Sequence, residues 1–130
     1  MIAADTNVLA RFLLNDHPGQ TRRAVAFLES GQDVWIPVTV LLELAWVLKA
    51  RGVPAMEGAR ALRALIALPH VRVQLADTVT LALGWVDSGI DVADALHLAL
   101  SDKADRFATF DRTLISRAKR LSIEPQVVPA

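Results

Sequence analysis

The chain has 130 residues, enough for one domain with a real core and too few for two. Hydrophobic residues make up 53% of it, above the roughly 45–50% usual for soluble domains, which excludes a disordered chain. Lys plus Arg and Asp plus Glu number 14 each, so no whole-molecule field draws in nucleic acid or membrane, and a polyanion must be held by local groups. Without cysteine there is neither a disulfide nor a thiolate zinc site, as expected of a reducing cytosol. The opening residues lack a basic stretch leading into a long apolar one, so no secretory signal is expected. The most apolar stretch, 34–48, is interrupted by Pro37, Thr39 and Glu43 and falls short of the ~20 residues that span a bilayer. The expectation is a soluble, cytoplasmic protein with no membrane partner.

An apolar run up to Ala4 reads as a short buried strand, and the spacing of Val8, Leu9, Phe12 and Leu13 predicts a helix over 6–14. That helix breaks in the turn formers 15–19, a second covers 20–30, and Gly31 stops it. Residues 34–36 form a strand closed by Pro37, and Thr39 is the expected cap of a long apolar helix to Arg51. Pro54 opens a helix to Leu68, 70–75 is the third strand, and Asp77 caps a helix to Ser88. Asp91 opens a helix to about Lys103, 106–110 is the fourth strand, 112–121 the last helix, and 125–128 a fifth strand. Strands alternating with helices imply parallel pairing, right-handed crossovers and helices on both faces of one sheet. No repeat or linker divides the chain, so one domain over 1–130 is expected.

Asp5 and Asp111 each end a strand, at the edge of a parallel sheet where ligands and catalytic groups collect. Each competes with a simpler role as a helix cap, which Asp fills well. Glu43 lies in a helix apolar nearly all round, which predicts burial, and an unpaired buried carboxylate would cost several kcal/mol. It stands four residues after Thr39 rather than three, so a capping box does not account for it, although a buried arginine partner would. Asp91 suits the N-cap, while Asp94 begins the next face at a helix N-terminus that favours anions. Asp102 and Asp105 precede the fourth strand and belong at the opposite edge, about 13 Å away, as solvated turn residues. Asp5, Glu43, Asp94 and Asp111 thus gather at one edge. Two carboxylates ~4 Å apart repel by about 4 kcal/mol at an effective dielectric of 20, so such a cluster calls for protons or cations. Hard oxygen ligands select Mg²⁺ or Mn²⁺, which keep waters and take phosphate oxygens beside one or two carboxylates, a combination suited to phosphodiester hydrolysis.

Four spaced stretches, ADTNVL, PVTVLLELAWVL, DVADALHLAL and ADRFATFDRTL, resemble in order and over nearly the whole chain the PIN-domain ribonucleases, and among them the small VapC-type toxins. The resemblance implies a three-layer α/β/α sandwich around a central, mainly parallel sheet of four or five strands. It implies an acidic pocket of Asp5, Glu43, Asp94 and Asp111 that binds Mg²⁺ or Mn²⁺ and cuts RNA, with Thr6, Asn7 and Thr109 supporting the pocket by hydrogen bonds. It also implies a homodimer and a cognate antitoxin whose C-terminal segment covers the pocket, and the apolar helices 40–48 and 59–68 are the expected groove for that segment's hydrophobic anchors.

Two other function classes compete. A receiver-like signalling module also gathers acids around Mg²⁺, but it carries an adjacent acidic pair after the first strand and a lysine near the end of the last, and neither is present. An inactive PIN scaffold is disfavoured by four intact acids. His97, one turn from Asp94, reads as structural before it reads as orienting, and Trp35, Trp46 and Trp85 read as core. Arg112, Arg117, Lys119 and Arg120 read as a solvated face, with Arg112 placed to steer a phosphate.

Overall fold

The computed structural model describes residues 1–130, and the chain packs as two compact units, Met1–Ala76 and Asp77–Ala130. The first contains β1 (Ile2–Ala3), α1 (Thr6–Leu14), α2 (Pro18–Leu28), β2 (Val34–Ile36), α3 (Val38–Ala50), α4 (Ala55–Ile66) and β3 (Val71–Val73). Its strands lie parallel in the order β1-β2-β3, with Ala3 opposite Trp35 and Trp35 opposite Arg72. The second contains α5 (Ala76–Asp87), α6 (Val92–Ala99), β4 (Arg106–Thr109), α7 (Arg112–Arg120) and β5 (Gln126–Pro129), with β4 and β5 parallel. The alternation therefore folds as an α/β protein with parallel strands and seven helices, the class expected.

The first unit's core is built from side chains at helical spacing. Leu9 of α1, Ile36 of β2, Leu41 and Leu44 of α3, and Leu62 of α4 are fully buried. In the second unit Leu83, Ile90, Leu96 and Leu98 are buried to within 2% exposure, so α5 and α6 each give one face to a core.

Several boundaries move for physical reasons. Proline suits the first turn of a helix because its missing N–H is an orphan there, so α2 begins at Pro18 rather than at Gln20, with His17 Nδ1 accepting from the Gln20 N–H at 3.1 Å. Thr39 does not cap α3. The helix begins one residue earlier, at Val38, whose N–H donates to Gln74 Oε1 at 3.0 Å from the segment after β3. β3 stops at Val73, and the chain turns at Leu75, whose φ of 51° is left-handed. α6 ends at Ala99, four residues before the expected stop, and the turn that follows carries the exposed Asp102 and Asp105 to the start of β4.

One ion network ties α1 to the end of α3. Asp16 accepts from Arg11 at 2.9 Å and from Arg51 at 2.6 Å, while Arg11 Nε donates to Gln20 at 2.7 Å. The hydrogen bond from Arg11, aided by its charge and by Arg51, holds the Asp16 carboxyl below its ordinary 3.8. A depressed folded pKa gives stability that is fully present above the unfolded value and is lost as pH falls through the lowered one. Water screens the network, so its effect is small. Urea midpoints should therefore fall between pH 6 and pH 3 by less in Asp16→Asn than in the wild type, and equal falls would remove Asp16 from the acid response.

Candidate active site

Asp5 is both a cap and an exposed acid. It stands two residues past the end of β1, and its Oδ1 accepts from the Thr6 N–H at 2.8 Å at the head of α1, which leaves the other oxygen available. Capping and ligand binding, set against each other in the sequence, are thus compatible. Thr6 is buried beneath it, and Asn7 is exposed on the first turn of α1.

Glu43 departs from expectation. It is exposed, because the buried stripe of α3 is Val38, Leu41, Leu44 and Leu48, and Glu43 lies on the opposite face with Thr39, Trp46 and Ala50. A helix apolar nearly all round still has one face too many for the core. Trp46, expected inside, is 60% exposed, while Trp35 and Trp85 are half-buried. Glu43 therefore pays no burial penalty and needs no arginine partner.

In the second unit Asp91, Asp94 and Asp111 line one small cavity of about 130 Å³, together with Gly89, Thr113 and Arg117. Local structure explains how they meet. Asp91 caps α6 by accepting from the Ala93 N–H at 3.2 Å, which sets Asp94 on the first turn. Asp111 caps α7 through Oδ1, accepting from the Leu114 N–H at 3.1 Å, and its own N–H donates to Thr109 Oγ1 at 3.1 Å. Thr109 thereby fixes the backbone of Asp111. Arg117, grouped in the sequence with a solvated face, is exposed as expected and also reaches the carbonyl of Gly89 at 2.6 Å, bringing positive charge to the cavity wall. Gly89 has a φ of 103°, which suits glycine, and its carbonyl is where α7 holds the turn before α6. His97 is exposed rather than packed in a core.

Cap and charge separate by substitution. Asn caps as well as Asp, whereas Ala costs about 1 kcal/mol. Asp111→Ala should therefore melt below Asp111→Asn by a few degrees, and equal melting temperatures would contradict the capping bond.

Neither unit by itself draws three or more His, Asp or Glu side chains into a closed metal cage. The donor chemistry still fits Mg²⁺ or Mn²⁺, which bind through one or two carboxylates and keep their waters for substrate phosphate, and Asp94 and Asp111 share one cavity wall.

Sequence reasoning passed over Arg11, Arg22 and Arg23 on α1 and α2, which line two neighbouring pockets of the first unit. The Arg22-Arg23 pair was the available signal.

No curated protein sequence matches the chain. The PIN domain pattern, however, matches residues 2–121, all but the first residue and the last nine. That match spans both compact units and all four of the acids singled out from the sequence. The chain belongs to the PIN domain family, whose members are generally metal-dependent nucleases.

Proposed function

We propose that this chain is a single PIN nuclease domain that hydrolyses RNA phosphodiester bonds as an endoribonuclease, with Asp5, Glu43, Asp94 and Asp111 as its acids. The observation that carries the reading is the shared cavity of Asp94 and Asp111, two sequence-distant carboxylates presented by the first turn of α6 and the cap of α7. These carboxylates would hold Mg²⁺ or Mn²⁺. The cation, when bound, supplies polarisation of the phosphodiester and activation of water. In the hydrolysis a water oxygen bonds to phosphorus, the bond to the leaving ribose oxygen breaks, and that oxygen ends protonated. The chain's residues position these groups. Thr109 fixes the backbone of Asp111, whose Oδ1 is committed to α7, so its Oδ2 would serve the reaction, and the Thr6 N–H holds Oδ1 of Asp5. Arg117 on the cavity wall offsets part of the acids' repulsion.

We further propose the toxin role, with a cognate antitoxin as inhibitor, a homodimeric state and a cytoplasmic setting. No helix is long and apolar enough to cross a membrane. The expected anchoring surface changes in detail. Ala59, Leu62 and Leu65 of α4 are spent on the core, so a partner's anchors would meet the exposed Trp46 of α3 and Met56 of α4 instead.

The decisive experiment incubates purified protein with RNA in Mg²⁺, Mn²⁺ or EDTA. Cleavage with either metal that stops in EDTA is expected, and intact RNA in all three rejects the reading. Because the acids repel one another, millimolar Mn²⁺ should also raise the melting temperature in proportion to ln(1 + [Mn²⁺]/Kd). That rise should shrink in Asp94→Asn, and a rise of the same size there would exclude Asp94 as a ligand.

A further inference from the structure

The cleft between α1 and α2 is lined on one side by Asn7, Val8 and Arg11 and on the other by Arg23, Ala24 and Phe27. Its cavity of about 360 Å³ falls within the roughly 300–1,000 Å³ range typical of small-molecule sites. A second, shallower depression adjoins it along α2, bordered by His17, Arg22 and Arg23. No Asp or Glu lines either one. In a chain with 14 basic and 14 acidic residues this is a local excess of positive charge. Arg11 is engaged by Asp16 and Gln20, but no carboxylate pairs with Arg22 or Arg23. Both are exposed on α2.

We propose that this cleft is a nucleotide subsite for single-stranded RNA, seating one unpaired base against Phe27, Val8 and Ala24 while Arg23 and Arg22 hold the flanking phosphates. The chemistry divides along the walls: an aromatic ring and aliphatic carbons take a base face, and guanidinium groups take phosphate. Asn7 and the Gln20 amide, whose oxygen is held by Arg11 Nε, offer hydrogen bonds to a base edge. The cleft begins at Asn7, on the first turn of the helix that Asp5 caps, so a strand seated there runs up to one of the proposed acids. A duplex would not serve, because its bases are stacked and paired. The subsite deepens the ribonuclease reading and rests on it for the identity of the polymer, but its test needs no cleavage.

The test measures fluorescence anisotropy of a labelled ten-nucleotide single-stranded RNA in EDTA, across a salt series, for the wild type, the Arg22→Ala/Arg23→Ala double variant and Phe27→Leu. Both arginines are exposed, so the double variant should fold, which circular dichroism checks. Loss of two phosphate contacts should weaken binding about tenfold and flatten the log K against log salt slope by about 1.4. Phe27→Leu, which keeps apolar bulk but not the ring face, should weaken binding with the slope unchanged. A duplex of the same sequence should show neither effect. Wild-type affinity and slope in the double variant would overturn the subsite, as would loss of binding to a protein partner alone with RNA binding intact. Should the protein bind RNA in this way yet fail to cleave it with any metal, the subsite stands and the nuclease reading falls. In a cleaving protein the arginine variants should raise KM with kcat held, the signature of lost uniform binding.

Discussion

Asp94→Asn is expected to cut metal-dependent RNA cleavage by about 100-fold or more while leaving the fold in place. The floor comes from metal sites in general, where groups that merely orient a ligand are worth 10–100-fold, so a direct ligand should cost at least the upper figure. Asn keeps the size and hydrogen-bonding reach of Asp but is a far weaker partner for a hard dication. The fold should survive because α6 is capped by Asp91 rather than Asp94, and because Ala95, Leu96, Leu98 and Ala99 carry its buried face. Removing one of several like charges stabilises, and losing an anion from the first turn destabilises by about 0.3–1 kcal/mol, so the melting temperature in EDTA should move by only a few degrees. Asp5→Asn should behave in the same way, since Asn also caps α1. Initial rates with Mg²⁺ and Mn²⁺, read beside far-ultraviolet circular dichroism, decide the matter: folded Asp94→Asn protein cutting within a few-fold of wild type would remove Asp94 from the site.

The largest loss of stability is expected from Leu44→Ala. Leu44 is 0% exposed on the inward face of α3, beside Leu41 and one turn from Leu48. Truncation forfeits the transfer energy of the lost carbons and leaves a cavity that a close-packed core closes only in part, about 2–5 kcal/mol together. Against a total stability of about 5–15 kcal/mol that is a large share, enough to lower the melting temperature by roughly 10 °C. Trp46→Ser, two positions along but on the exposed face, should leave the melting temperature within a few degrees although it deletes a larger side chain. Thermal or urea unfolding of the pair tests the inward and outward assignment of α3, and a larger loss in Trp46→Ser would reverse it.

Local chemistry made much of this chain readable. Asp5, Asp91 and Asp111 head α1, α6 and α7 because a short carboxylate satisfies backbone donors within three residues of itself, a property that needs no tertiary contact. The alternation of short apolar runs with helical periods gave the α/β class and its parallel pairing, and the four acidic stretches gave the family that the PIN domain match assigns. What escaped depends on partners distant in sequence. α3 starts at Val38 because Gln74, 36 residues later, supplies an acceptor that no local pattern announces. Which face of α3 is outward could not be read from residues apolar on every side, so Glu43 and Trp46 were placed inside although they are exposed. Arg117 became part of an acidic cavity only when α7 brought it to the Gly89 carbonyl, and Arg23 came to line a cleft only when α2 packed on α1. The sequence by itself determined the aspartate caps of α1, α6 and α7 and the alternation of short strands with helical periods, because those follow from each residue and its near neighbours. The tertiary structure alone decided exposure and cavity walls, because burial belongs to a surface made by two elements at once.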